Sequence, residues 1–546
     1  MRPTPTLTER TRRSVDSLAL IAFCGYLFLL GLQLIGLIGV DEPRYAQIAR
    51  EMLARHDWIT PVLYGSPWLE KPPLYYWLAM LSYKAAGGVS DTAARLPSAV
   101  LSSLLIVFIF VWARRFRHGM QLDAALITAS AAAIIGFGRS ASTDMPLTVM
   151  FTVAMLSWYG WYASGRRGWL LSFYFFSGLA TLAKGPIAIL LAAIILIVFA
   201  ALRRDLRLLL RSLWPIGIAL YVAVAAPWFI AVQRANPQFF RFFFLQQNLA
   251  RFASNRYHHP QPFWFYLPVA LLALVPWTVF AVAALVDAVR DWRFATQQPQ
   301  AQEDLRTYLA IWFFIPIVFF SLSHSKLPGY ILPGIPAATI LLADFILRRE
   351  RDSGKPPMWQ ILLHAVLSAA MVIAAFTISF KLLKLGLPKT VIIVAASLAI
   401  ITVLMYWFTL QSQGYRVLRF TTLVPVVIAF ALTLRGTAPI IDVLQSARPV
   451  QARLQLTEIG RIPTIAAYDV PASLEYGLAF YRNHRVASYA NHEIPPGDHI
   501  VVAASGTQKE LEYLLPGRKV ILFGGFEWQH LDFYLIAGTG SGQTQR

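Results

Sequence analysis

Residues 18–52 read LALIAFCGYLFLLGLQLIGLIGVDEPRYAQIAREM. From Leu18 to Leu37 there is no charged residue, and a helix of that length crosses the roughly 30 Å of hydrocarbon in a bilayer. Asp41, Glu42 and Arg44 follow at once, with Pro43 among them. The stretch predicts a membrane-spanning helix that delivers a charged segment to the far surface. Arg2, Arg10, Arg12 and Arg13 precede the span, so the N-terminus is expected on the cytoplasmic side. The run is longer than the apolar part of a secretory signal and lacks an A-x-A site after it, so it is expected to be retained.

The same pattern recurs along the chain. Of the 546 residues, 57% are hydrophobic and 14% charged, and the mean hydropathy is +0.54, outside the range of soluble domains. Apolar runs near 18–38, 97–113, 121–138, 145–163, 169–183, 186–201, 213–232, 263–288, 307–322, 331–347, 358–380, 390–410 and 417–436 predict about thirteen spans. Arginine clusters fall in alternate loops: Arg114, Arg115 and Arg117; Arg166 and Arg167; Arg203, Arg204, Arg207 and Arg211; Arg290 and Arg293; Arg348, Arg349 and Arg351. The formal charge of +20 is therefore read as positive-inside topology, not as a nucleic-acid surface. Lys381, Lys384 and Lys389 run against this rule on the outer side. Cys24 is the only cysteine, which excludes a disulfide framework and a thiolate metal site.

The expected fold is an all-α polytopic membrane domain, residues 1–438, followed by a small outer α/β domain, residues 439–546. In that tail, TIAAYDV, HIVVAAS and KVILFGG read as strands, and PASLEYGLAFYRN and TQKELEYLL as helices. Residues 41–95 and 233–262 form the other large outer segments.

The outer face holds charges that topology does not explain. They are Asp41, Glu42, Arg44, Glu51, Glu70 and Lys71 in the first segment, Asp144, Lys184 and Lys326 in short turns, and Arg241, Arg251, Arg256, His258 and His259 in the third segment. Cations there invite an anionic ligand such as a phosphate. Asp41 and Asp144 each stand two residues before a proline at a helix start, so each alone reads as readily as an N-cap as a catalytic carboxylate. Two such carboxylates at one membrane depth favour a shared aqueous cavity. In WLEKPPLYYW, Glu70 and Lys71 project from backbone broken by Pro72 and Pro73, although the aromatic residues alone fit an interfacial belt. LAKGP around Lys184 and SHSKLPGYILP around Lys326 repeat the lysine-glycine-proline theme, where an ordinary turn with an interfacial anchor is the alternative. A divalent metal, if one is bound, has Glu70 with His258 or His259 as candidate ligands. No H-E-x-x-H spacing occurs.

DEPRYAQIAREML, WLEKPPLYYW, LAKGP and SKLPGYILP, in this order, resemble the bacterial 4-amino-4-deoxy-L-arabinose transferases that modify lipid A. These are GT-C glycosyltransferases, distantly related to protein O-mannosyltransferases. The resemblance implies an inner-membrane enzyme that moves aminoarabinose from undecaprenyl phosphate to a lipid A phosphate on the periplasmic face, giving polymyxin resistance. It assigns Asp41 and Asp144 as catalytic carboxylates. It assigns Arg44, Lys71, Arg256 and Tyr330 to the donor phosphate, with Glu70, Lys184 and Lys326 in support. The expected partners are the lipid-linked sugar, lipid A and membrane lipids, with no nucleic acid. A GT-C enzyme with a different acceptor, such as protein, is the alternative. A transporter fits less well, because its charges should lie at the midplane of paired repeats.

Overall fold

The computed structural model describes residues 7–250, 261–294, 301–352, 354–384, 388–457 and 464–538. Helix α1 (Leu7–Cys24) runs on as a wider turn through Gly25–Leu29. Then come α2 (Asp41–Ala54), α3 (Leu74–Ala85), α4 (Asp91–Phe116), α5 (Gln121–Ser130), α6 (Ala132–Gly138), α7 (Asp144–Ser164), α8 (Arg167–Lys184), α9 (Ile187–Leu202), α10 (Arg207–Ser212) and α11 (Pro215–Ala235). After a wide helical turn at Arg241–Ala250 follow α12 (Tyr266–Ala273), α13 (Thr278–Phe294), α14 (Ala301–Ser321), α15 (Ile335–Arg351), α16 (Met358–Leu382), α17 (Lys389–Gln413) and α18 (Leu418–Leu432). Among the described residues, seven helical segments are long and apolar enough to cross a membrane, or nine if each of two bent pairs is one span. This is a multi-pass membrane protein. Two shorter apolar helices, Asp16–Leu29 and Ile187–Leu202, coincide with two more of the expected spans, and α7 and α8 with another two.

Two spans that read as continuous in sequence are broken. Helices α5 and α6 bend by 65° at Ala131, and the pair Phe263–Ala273 and Thr278–Arg290 bends by 117° around Pro276. The breaks face each other: the Ala132 N–H donates to the Val275 carbonyl at 2.9 Å, and Trp277 Nε1 to Ser130 Oγ at 2.9 Å. Backbone groups freed inside a bilayer must find partners within the protein, and here each break satisfies the other.

The arginine-rich face is more than a topological signal. Arg117 pairs with the buried Asp344, which also accepts from Arg348 Nε at 3.2 Å. Arg203 reaches Asp304 at 2.7 Å, Arg348 reaches Asp287 at 2.7 Å and Arg419 reaches Asp123 at 2.8 Å. Apart from Arg348–Asp344 within α15, each pair joins two different segments of the bundle, so part of the basic excess ties the bundle together at that surface.

On the opposite face, a hairpin of β1 (Val62–Leu63) and β2 (Ser66–Pro67) leans on α2. The Glu51 carboxylate accepts the N–H groups of Tyr64 at 2.9 Å and Gly65 at 3.1 Å. Both turn residues have positive φ, +53° and +79°, the conformation a two-residue hairpin requires. The chain then continues through α19 (Ala438–Gln445) and α20 (Ala447–Thr457) into a mixed five-stranded sheet. Its strands are β3 (Ile465–Tyr468), β4 (Ala487–Ser488), β5 (His499–Ala504), β6 (Lys519–Phe526) and β7 (Leu531–Ala537), in the order β4-β3-β5-β7-β6. β3 is parallel to β4 and β5, whereas β7 is antiparallel to β5 and β6. Helices α20 and α21 (Ala472–Arg482) cover one face and α22 (Gln508–Leu514) the other. All three strand runs and both helical runs expected in this tail form.

Candidate functional site

Glu42, one residue after Asp41, organises the outer face. It is 6% exposed. Its Oε1 accepts from Arg95 Nε at 2.9 Å and from the Ala141 N–H at 2.8 Å, and its Oε2 accepts from the Ile38 N–H at 3.0 Å. Arg95 also donates to the carbonyls of Leu32 at 3.0 Å and Gly36 at 2.9 Å. One buried ion pair therefore clamps the end of the first span, the start of α2, the head of α4 and the loop that enters α7. Such a pair contributes little net stability against an apolar substitute but specifies how its segments meet. The residues it aligns are the first residues of α2 and α7, Asp41 and Asp144. Sequence reading counted Glu42 among the outer charges and missed its role, along with Arg95 altogether. The available signal was an arginine at the apolar entry of a predicted span.

The cap reading of the two aspartates does not hold. Asp41 and Asp144 lie inside the first turns of their helices, after Val40 and Thr143, and neither helix has a side-chain cap. Their carboxylates turn to cations instead. Asp41, 49% exposed, accepts from Arg44 Nη2, and Asp144, 15% exposed, accepts from Lys184 Nζ.

The Arg44 guanidinium sits among rings, 5.2 Å from the centroids of Tyr45 and of Trp68 and 5.7 Å from that of Tyr476. Burial alone would lower its pKa, but Tyr45, Asp41, Glu70 and Tyr476 together raise it, so Arg44 is a fixed positive charge. Glu70 accepts from Gln247 Nε2 at 3.4 Å, and Lys71 Nζ lies 3.4 Å from the Glu70 carbonyl oxygen. Burial first, then the Asp41 charge, raise the Tyr45 phenol, with Asp144 adding to the effect. The Ala141 N–H donated to Glu42 at 2.8 Å brings the starts of α2 and α7 together, so Asp41 and Asp144 lie in one region of this face. Among the described residues, Arg44 Nε, Trp68 Nε1 and the Tyr76 hydroxyl are buried donors without acceptors, a concentration of unmet donors that native cores avoid.

LAKGP and SKLPGY join the site at Asp144. Lys184 Nζ stands 5.1 Å from the Tyr330 ring centroid. Gly329 is required here, since a Cβ on it would lie 2.8 Å from Asp144 Oδ1. Lys326 is different. It is 6% exposed and donates to the carbonyls of Ser323 at 2.5 Å and Gln261 at 3.0 Å, so it fastens loops and its ammonium is used by backbone. Arg251, Arg256, His258 and His259 lie outside the described residues. No group of three or more metal-ligating side chains occurs among the described residues, and Glu70 is the one metal candidate among them.

On the other side of the Glu42–Arg95 clamp lies a largely apolar cavity of 880 Å³, walled by α5, α6, α16 and α18. Its polar end carries the clamp and Arg139. Arg139 donates to the Leu27 carbonyl at 2.9 Å and packs 5.0 Å from the Phe430 ring centroid. No carboxylate pairs with it among the described residues.

The chain that brings these four motifs together on one face of a helical bundle is similar to known proteins. The family model for dolichyl-phosphate-mannose-protein mannosyltransferase matches residues 70–230. The undecaprenyl phosphate-alpha-4-amino-4-deoxy-L-arabinose arabinosyl transferase of Pseudomonas paraeruginosa is 33% identical over 348 residues, 63% of this chain and 61% of the relative. That of Edwardsiella ictaluri is 34% identical over 58% of this chain and 56% of its own length. The chain thus spans about three fifths of the length of the curated relatives it matches. A crystal structure of ArnT from Cupriavidus metallidurans bound to undecaprenyl phosphate superposes with a TM-score of 0.76 at 23% identity, covering 96% of this chain and 99% of that one. The chain has the ArnT fold. That likeness extends through the C-terminal sheet, because it covers nearly all of both chains.

Proposed function

We propose that this protein is a glycosyltransferase that moves 4-amino-4-deoxy-L-arabinose from undecaprenyl phosphate to a phosphate of lipid A. The reading places it in the bacterial inner membrane with thirteen passes, residues 1–438, its site on the periplasmic face beside a soluble domain of residues 439–546. One observation carries it: two carboxylate–cation pairs, Asp41–Arg44 and Asp144–Lys184, stand at helix starts that Glu42 joins, on the face opposite the arginine clusters. The names of the curated relatives and the ArnT fold support the same activity.

In this mechanism an acceptor phosphate oxygen attacks the anomeric carbon as the bond to the polyprenyl phosphate breaks. Negative charge grows on the departing phosphate, where fixed cations lower the barrier most. Arg44, Lys71 and Arg256 are assigned to that phosphate, with the Tyr330 hydroxyl as a donor. The acceptor is already an anion, so no strong base is needed. Asp41 and Asp144 then orient the acceptor and hold the ammonium of the sugar. Glu70 supports Arg44, Lys184 holds Asp144 in place, and Lys326 acts through the loops it fastens. Should a divalent metal take part, Glu70 with His258 or His259 would bind it and offset phosphate charge. The 880 Å³ apolar cavity, with Arg139 at its polar end, suits the chain and phosphate of a lipid substrate. The match to the mannosyltransferase family model over residues 70–230 favours one second reading, a polyprenyl-phosphate-sugar transferase with a protein acceptor.

Mass spectrometry of lipid A from cells with and without the gene tests the proposal. An added pentosamine that depends on the gene, together with polymyxin survival, is the expected result. Unchanged lipid A would remove this acceptor and leave the second reading.

A further inference from the structure

The aromatic enclosure of Arg44 has one wall that the membrane domain does not supply. Tyr45 and Trp68 come from the first outer segment, whereas Tyr476 comes from α21 of the C-terminal domain. The same Tyr476 ring stacks on Tyr64 of the β1–β2 turn, 6.4 Å between centroids and 9° from parallel. That hairpin leads directly into Trp68, Glu70 and Lys71. One side chain of the soluble domain therefore touches both strands of the site, the helix with Asp41 and Arg44 and the hairpin that delivers the Glu70–Lys71 pair.

The domain is held there by contacts that do not involve Tyr476. Arg50 Nη1 donates to the Phe480 carbonyl at 2.6 Å, and its guanidinium lies 4.3 Å from the Phe480 ring centroid. The Tyr481 hydroxyl donates to Asp91 at 2.8 Å and accepts the Leu37 N–H at 2.7 Å. Asp442 accepts the Gly36 N–H at 2.7 Å, and Arg448 bridges Asp91 and Asp442 at 2.9 and 2.7 Å. A tethered domain that only shielded the surface would not need an aromatic ring on a half-buried cation of the site.

We propose that Tyr476 is a positioning residue for the transfer reaction: its ring holds Arg44 against Asp41 and fixes the hairpin, so the site is complete only with the C-terminal domain docked. This rests on the proposed transfer activity. Cation–π contact with a partly desolvated guanidinium, plus the stacking it accompanies, corresponds to roughly a tenfold change in an equilibrium or rate. The hydroxyl has no hydrogen bond among the described residues, so the ring alone carries the role.

The test uses the full chain in detergent with undecaprenyl-phosphate aminoarabinose and lipid A. Tyr476→Ala is expected to lower kcat about tenfold, whereas Tyr476→Phe stays within about twofold of the parent. Tyr481→Phe removes two docking hydrogen bonds but leaves the Arg50 and Arg448 contacts that seat the domain and does not touch Arg44, so it should lower Tm and leave kcat alone. In an Arg44→Lys background, Tyr476→Ala should cost much less than it does alone, because the two residues act as a unit. Hydrogen exchange provides a readout independent of turnover: Tyr476→Ala should speed exchange across residues 41–71, and Tyr481→Phe should not. Wild-type kcat in Tyr476→Ala, equal losses in the Phe and Ala variants, or full additivity with Arg44→Lys would each overturn the inference. If the parent protein fails to modify lipid A, the transfer reading falls, and the exchange pattern still decides whether Tyr476 positions the site.

Discussion

Asp41 and Asp144 open their helices in the same way, two residues before a proline, and each carboxylate meets a cation. Their settings differ. Asp41 is 49% exposed and its partner is Arg44 of the same helix, three residues on. Asp144 is 15% exposed, and its partner Lys184 arrives from the end of a different helix. Gly329 closes against the Asp144 carboxylate. A pair within one helix turn leaves its carboxylate free to meet a substrate, whereas a pair between two helices fixes their relative placement. Under the proposed transfer, Asp41 is the more open of the two carboxylates to substrate, and Asp144 also ties two helices together.

The largest effect should come from the exposed carboxylate. Asp41→Asn is expected to lower kcat by about a thousandfold, the scale of losing a key electrostatic group, with unchanged membrane insertion and a normal gel-filtration profile. Near-normal turnover would end its catalytic assignment. Next comes the clamp beneath both aspartates. Glu42→Gln leaves Arg95 buried without its counter-ion and should cost about 3–5 kcal/mol of stability, read as a large fall in Tm in detergent. An unchanged Tm would mean that the two aspartates are aligned by something else.

At the Asp144 end, Asp144→Asn and Lys184→Met should each reduce kcat by roughly tenfold to a hundredfold, and the double variant little further, since one pair is lost in all three. Additive losses would show two separate roles and dissolve the contrast. The smallest catalytic effect is expected at Lys326, whose ammonium serves backbone carbonyls. Lys326→Met should cost about 1–3 kcal/mol through unpaired buried carbonyls and leave the KM for donor unchanged. A raised donor KM would move Lys326 from a supporting role to the phosphate ligands.

Much of this architecture was legible from residues 18–52 outward. Uninterrupted apolar runs and arginine-rich loops obey simple transfer energetics, which act on each segment by itself. The strands and helices of the tail followed from equally local patterns. The breaks at Ala131 and Pro276 were not legible, because each is tolerated only where the other supplies a hydrogen-bond partner. Lys184 and Lys326 sit in the same lysine, glycine and proline grammar, yet one faces Asp144 and the other is used by carbonyls. No local pattern distinguishes them, since the difference lies in which distant segment each one meets.

By itself, the sequence determined that the chain lives in a membrane, which face carries the unexplained charges, and which motifs resemble lipid-linked sugar transferases. These depend on composition and spacing. Only the tertiary structure decided that Glu42 and Arg95 align the two aspartates, that neither aspartate caps its helix, and that Tyr476 of the distant tail closes on Arg44. The reason is physical: a buried charge takes its meaning from the partner that neutralises it, and those partners are 53 residues away for Glu42 and 40 for Asp144.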